Sequence, residues 1–256
     1  PYPAALRESL LALGRNEQAQ VSLAALATLD VAVADQLSTA AQAVLTAAKL
    51  KAPDIRAIGS HGQTIFHDPK AVQSSLQLGD PSRIAATTGI TVAADFRRMD
   101  VALGGQGAPL VPAFHQAIFQ SKVPTVVVNL GGIANVTLLS GVAGSPTLGF
   151  DCGPANALMD EWVLRHCGSP YDAHGAFAAQ GKVVPTLLEV WLAEPYFHLT
   201  PPKSTGRALF NLEWADALAP GGLSAYEARD VQASFCELTA RSVAASIPAS
   251  SQRVLV

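Results

Sequence analysis

The stretch Val126 to Leu139, "VVVNLGGIANVTLL", decides how the rest of the chain is read. Three valines lead into Asn129 and Leu130, two glycines follow, and a second apolar run closes the segment. β-branched residues on either side of a glycine pair predict strand, tight turn, strand. Glycine permits the turn and removes the side chains that would keep a ligand from the backbone. Bare N–H groups in such a turn can hold phosphate oxygens.

Directly downstream lies Gly149 to Trp162, "GFDCGPANALMDEW". It is expected to place Asp151 at a strand end, ahead of Gly153, Pro154 and a helix over 154–167. A carboxylate at a strand end beside a helix N-terminus suits catalysis next to an anion. On local pattern alone, capping of the following helix is an equal explanation of Asp151. A phosphate cradle next to a carboxylate suggests phosphoryl transfer from a nucleotide.

Outward from these segments, residues 4–50 read as helix, with Leu23, Leu26, Leu29, Val33 and Leu37 at three- and four-residue steps in an Ala-rich context. Strands are expected at 55–60, 75–79 and 90–95, with "HGQT" at 61–64 as a polar loop. The stretch 96–112, "FRRMDVALGGQGAPLVP", reads as a functional loop. Helices are expected at 110–120, 183–193 and 225–247, and "PPKSTGR" at 201–207 as a loop. Mixed strands and helices indicate an α/β or α+β architecture, with domains at 1–122 and 123–256.

The bulk properties narrow the function. The chain has 256 residues, 49% of them apolar and 14% charged, as in a well-packed enzyme. A net charge of -3 gives no case for nucleic acid or an acidic membrane. No uninterrupted apolar run reaches the roughly 18 residues of a membrane helix. Cys152, Cys167 and Cys236 have no metal-site spacing and read as reduced thiols in a cytoplasm. The chain starts without Met and stops inside an apolar run, Arg253 to Val256, so both ends of a longer protein are expected to be missing.

The familiar nucleotide signatures fail: neither a P-loop nor a complete dinucleotide fingerprint is present. Cys152 near a helix N-terminus could be a nucleophile, although a buried inert thiol is the better reading. His61 and Gln63, at the mouth of a strand, suit sugar hydroxyls. Arg97 and Arg98, beside Asp95 and Asp100, read either as a solvated ion-pair cluster or as an anchor for an anion. Lys203, Ser204 and Thr205 read as a hinge or an exposed loop. His61, His67 and His115 lack zinc spacing, and no metal ligand is assigned.

Five strings in order, "AIGSHGQTIFHDP" (57–69), "ADFRRMDVALGGQGAPLVPAFH" (94–115), "NLGGIANVTLL" (129–139), "GFDCGPANALMDEW" and "KSTGRALFN" (203–211), resemble the anhydro-N-acetylmuramic acid kinase family almost end to end. The resemblance implies the sugar kinase, Hsp70 and actin architecture (ribonuclease H-like), with ATP in a cleft between two α/β domains. It implies hydrolytic opening of 1,6-anhydro-N-acetylmuramic acid and phosphorylation of O6 by ATP with Mg²⁺, in peptidoglycan recycling. It makes Asp151 the general base. Asn129, Gly131, Gly132, Asn135, Gly153 and Asn156 would serve the nucleotide, and His61, Gln63, Asp95, Arg97, Arg98 and Gln106 the sugar. A cytoplasmic homodimer without nucleic-acid or membrane partners is expected. The family's "GTSxDG" and "CGGG" strings do not occur here, so residues 1–256 alone are expected to bind ATP poorly. The competing reading is a non-catalytic remnant that binds sugar without turnover.

Overall fold

The computed structural model describes residues 2–14, 19–119, 121–142 and 144–256. The chain divides into two compact units, Pro1–Gly107 and Ala108–Val256.

The first unit opens with α1 (Ala4–Gly14) and α2 (Leu23–Ala48). The helical expectation over 4–50 is thus split, and its part at 15–18 lies outside the described residues. The second helix starts where Ser22 accepts the N–H of Ala25 at 3.1 Å, an N-cap that satisfies one orphan donor. It ends at Lys49 in left-handed geometry. Then come β1 (Ile58–Ser60), β2 (Gln63–Asp68), β3 (Ser74–Leu78), α3 (Pro81–Thr88), β4 (Val92–Ala94) and α4 (Arg98–Ala102).

Two small sheets result: β1 runs parallel to β4, and β2 pairs antiparallel with β3. The "HGQT" loop is shorter than expected, because Gln63 and Thr64 already pair with Leu78 and Gln77. The expected loop at 96–112 contains α4 and the start of the next helix. Helix α3 had no apolar periodicity to announce it. Asp80 caps it through the Ser82 N–H at 2.8 Å, with Pro81 at its first position. Leu10, Val33 and Leu78 form the core, with Leu26, Leu29, Leu37 and Ile65 packed against it.

By length and composition α2 is apolar enough to cross a membrane, which the search for uninterrupted apolar runs missed. Its two carboxylates are bonded within the unit, Asp30 to the Gly79 N–H at 2.6 Å and Asp35 to Arg83 at 2.6 Å.

The second unit comprises α5 (Val111–Phe119), β5 (Thr125–Leu130), β6 (Ile133–Leu139), β7 (Leu148–Pro154), α6 (Asn156–Cys167), α7 (Pro185–Leu192), α8 (Leu212–Leu218), α9 (Ala228–Ala245) and β8 (Arg253–Leu255). Its sheet has the order β7-β6-β5-β8, antiparallel except for β8 beside β5. The unit begins before the expected division at 122/123 because α5 is bound to the sheet. His115 shares a 2.8 Å hydrogen bond with Thr137, and Arg253 donates to the Phe119 carbonyl at 2.7 Å.

One face of the sheet buries Val126, Val128, Ala134, Val136, Phe150 and Cys152, with Val243 and Ile247 packed over them. A second core gathers Leu158, Trp162, Leu187, Trp191, Leu212 and Phe235 from α6 to α9. Trp191 is fully buried and stacks on Phe235 with centroids 4.8 Å apart. Its indole N–H donates to the Ala215 carbonyl at 3.0 Å, the pairing that lets a large ring with a polar atom sit inside.

Candidate active site

The alternation of the three central strands sets which side chains share a face. Val126, Val128 and Val136 face the α9 core, so Asn129 and Asn135 face the opposite side, where they stand directly opposite each other. Asn135 in turn stands opposite Asp151 on β7, just past a bulge at Ala134. A row of amide, amide and carboxylate therefore crosses three neighbouring strands. Asp151 lies inside β7 rather than at its end as expected, because pairing with β6 continues to Pro154.

At the end of this row is the Gly131–Gly132 turn. Its carbonyls point to α6: that of Gly131 accepts from the Asn156 N–H at 3.0 Å, and that of Gly132 from the N–H groups of Ala155 and Ala157 at 3.1 Å. The Asn156 side chain donates to the Leu130 carbonyl at 2.8 Å. Among the described residues, the N–H groups of Gly131 and Gly132 have no acceptor. The turn thus presents donors and hides acceptors, the polarity an anion requires. The start of α6, expected as the anion site, instead uses its first N–H groups on the turn.

The glycine at 132 is not demanded by packing. A methyl group there would meet nothing nearer than 3.6 Å, and the residue is outside the left-handed region. Gly153 is the reverse case. It is buried at φ +153°, where a Cβ would strike the Phe197 ring at 2.6 Å. Packing accounts for Gly153.

Asp151 is 7% exposed, and its neighbours come from a distant stretch of sequence. Thr205 donates its N–H to Oδ2 at 3.0 Å. The Asp151 N–H donates to the Lys203 carbonyl at 3.1 Å, and the Tyr196 hydroxyl donates to the Asp151 carbonyl at 2.9 Å. Burial, then the Asp151 charge, raises the Tyr196 phenol far above its ordinary pKa, so it remains a donor. Lys203 donates to the carbonyls of Tyr196 and Phe197 at 3.0 Å, and burial lowers its pKa. Segment 203–205 is therefore fastened to β7 rather than an exposed hinge. Cys152 is 1% exposed and burial raises its pKa, which makes it a packed thiol and a poor nucleophile.

In the first unit, His61, Asp95 and Arg98 line a cavity of about 90 Å³ with Ser60, Gln77 and Pro81. Arg98 and Asp95 form an ion pair at 2.8 Å. Asp95 has φ +59°, a left-handed backbone that costs energy and is concentrated at functional sites. Arg97 donates from Nε to His61 Nε2 at 2.8 Å and from Nη1 to the Gly107 carbonyl. His61 Nε2 therefore acts as acceptor, and Nδ1–H donates to the Gly62 carbonyl at 2.8 Å. Of the expected sugar residues, Gln63, Arg97 and Gln106 do not line this cavity. The Gln63 amide donates to its neighbour's carbonyl, on Thr64, at 3.3 Å.

The sequence reading missed Tyr196 and the ties of Lys203 and Thr205 to Asp151. The string "KSTGR" was a signal, but its partner lies more than fifty positions away.

A family model described as "Anhydro-N-acetylmuramic acid kinase" matches residues 1–256. Curated relatives carry the same name. One from Xanthomonas oryzae pv. oryzae (strain MAFF 311018) is 51% identical, covering 98% of this chain and 67% of its own length. One from Xanthomonas campestris pv. campestris (strain 8004) has the same figures of 51%, 98% and 67%. One from Bordetella pertussis (strain Tohama I) is 52% identical over 98% of this chain and 65% of its own. The chain thus spans about two thirds of the length of these relatives.

Proposed function

Because the chain belongs to the anhydro-N-acetylmuramic acid kinase family, we propose that it opens 1,6-anhydro-N-acetylmuramic acid with water and phosphorylates the freed O6 from ATP. The products are N-acetylmuramic acid 6-phosphate and ADP, and the reaction belongs to peptidoglycan recycling. Asp151 takes a proton from water as its oxygen bonds to C1 and the C1–O6 bond breaks. The released O6 attacks the γ-phosphorus, and the bond to the ADP oxygen breaks. Phosphoryl transfer needs positioning and charge neutralisation more than covalent help, and a general base needs reach to one water.

The observation that carries this reading is the Gly131–Gly132 turn, whose carbonyls are bonded to α6 and whose N–H groups have no acceptor among the described residues. It holds nucleotide phosphates, with Asn129 and Asn135 on the face of Asp151. His61, Asp95 and Arg98 contact the sugar, and Arg97 fixes the His61 ring. Asn156 supports the turn through its bond to the Leu130 carbonyl. Among the described residues no three His, Cys, Asp or Glu side chains cluster around a metal position. Mg²⁺ arrives with the nucleotide, since Mg²⁺ is commonly held by substrate phosphates and water. When bound, it supplies further neutralisation of phosphate charge.

The enzyme works in the cytoplasm as a homodimer. Support for self-association is the exposed apolar surface of α2, where Leu23 is 86% and Val44 66% exposed. ADP release that depends on the anhydro sugar tests the reaction. ATP turnover that ignores the sugar would refute it.

A further inference from the structure

Arg207 ends the "KSTGR" string, and its guanidinium reaches the glycine turn. A methyl group placed on Gly132 would sit 3.6 Å from Arg207 Nη2 and 3.8 Å from Nε. Yet among the described residues the Arg207 side chain has no hydrogen bond and no ion pair. It is exposed. Asp160 on α6 is the carboxylate that senses its charge, and burial nonetheless raises the Asp160 pKa.

The backbone that delivers Arg207 is fixed on both sides. Upstream, Thr205 is tied to the Asp151 carboxylate at 3.0 Å. Downstream, the Arg207 carbonyl accepts from Asn211 Nδ2 at 3.2 Å, while Asn211 Oδ1 caps α8 through the Trp214 N–H at 2.8 Å. Phe210, in the same short segment, is fully buried. The loop therefore presents the guanidinium on anchored supports, as preorganised binding requires.

We propose that Arg207 is a phosphate-binding residue of this site, closing its guanidinium over the anion that the Gly131–Gly132 N–H groups hold from the sheet side. The proposal rests on the phosphate reading of that turn. It gives the nucleotide phosphates a permanent cation, which neither Asn129 nor Asn135 supplies. Arginine suits the role because its planar fork can bond two phosphate oxygens at once. It also explains why position 132 is glycine although packing tolerates a methyl: a side chain there would fill the space between the turn and Arg207.

The test uses the complete protein with ADP as the probe, titrated by calorimetry, and steady-state kinetics with ATP and the anhydro sugar. Hydrogen bonds to charged groups are worth roughly 1.5–3 kcal/mol, or about 10–100-fold. Arg207→Ala should weaken ADP binding and raise the KM for ATP by about that factor, with Tm and the KM for sugar unchanged. Arg207→Lys should fall between, keeping charge but losing the fork. Gly132→Val separates this proposal from the reading on which it rests. If Gly132→Val weakens ADP and Arg207→Ala does not, the Arg207 assignment is wrong and the turn assignment stands. If neither weakens ADP, the turn is not the phosphate site and both fail. Equal loss of ADP and sugar affinity in Arg207→Ala, with a lowered Tm, would make Arg207 structural and overturn the proposal; Arg207→Gln, which retains most of the side chain's bulk, repeats the comparison if Arg207→Ala does not fold.

Discussion

Thr205 gives its backbone N–H to Oδ2 of Asp151 at 3.0 Å. A loop residue thereby fixes the rotamer of a nearly buried carboxylate more than fifty positions earlier in the chain. The bond returns a hydrogen bond to a charge that burial deprives of water, and it holds the carboxylate in one orientation. The same strap positions Arg207 over the glycine turn, so the proposed base and the phosphate site share one support.

Gly132→Val should weaken nucleotide binding by roughly 10–100-fold, the loss expected when contacts from the turn to a charged phosphate are blocked. Sugar affinity should be unchanged, because the substitution acts at the turn alone; Gly132→Ala, whose methyl has room at this position, should leave Tm within a few degrees. Calorimetric titration with ADP and with the anhydro sugar separates the effects. Equal loss of both affinities would contradict the local assignment.

Gly153→Ala should act on stability instead. The new methyl would meet the Phe197 ring at 2.6 Å, at a φ of +153° that side chains rarely adopt. Overpacking of this kind costs about 1–3 kcal/mol. A thermal melt of the purified variant should show a clear fall in Tm; an unchanged Tm would show that Phe197 moves aside freely.

Trp191→Ala removes a fully buried indole from the helical core, together with its stack on Phe235 and its bond to Ala215. The expected loss is about 3–5 kcal/mol. Denaturant unfolding monitored at the second unit measures it, and a loss below about 1 kcal/mol would contradict the burial argument.

Stability should also depend on His67. Burial, followed by the Arg97 charge, lowers its pKa below 6.5. Its Nδ1 shares a 3.0 Å hydrogen bond with Ser75, and the Gln106 backbone and the Asp68 charge oppose the shift without reversing it. Below pH 6.5 the unfolded chain takes up a proton that the folded chain resists, so stability falls as pH drops through that window and levels off below the folded pKa. His67→Gln should flatten the decline in Tm between pH 7 and 5. A wild-type Tm that rises over that range would reverse the sign and refute this reading.

The hairpin at 125–139 was legible because β-branched residues flank the glycine pair on both sides, and both effects are local. The strand before α6 was legible too, but not its end, because pairing of Gly153 and Pro154 with β6 is a tertiary event. Helix α3 was hidden because its cap, Asp80-Pro81, is a turn signal as well as a helix start. The start of α2 is marked in the sequence only by Ser22, whose capping of the Ala25 N–H is visible once the helix is in place. At the site, Asp151 and the asparagines could be singled out from sequence. Their supports could not: Tyr196, Thr205 and Arg207 reach β7 and the turn through loops whose path carries no periodicity. The unit boundary was placed too late because a hydrogen bond from His115 to Thr137 joins α5 to the sheet.

The most direct test of the account is the turnover number of Asp151→Asn. Sugar-dependent ADP release is measured on the complete protein with ATP and Mg²⁺, beside wild type and with matched Tm. The amide keeps the shape of the carboxylate but cannot take the proton from water, so kcat should fall roughly 10²–10⁴-fold. Turnover within a few-fold of wild type would contradict the assignment of Asp151 as the base.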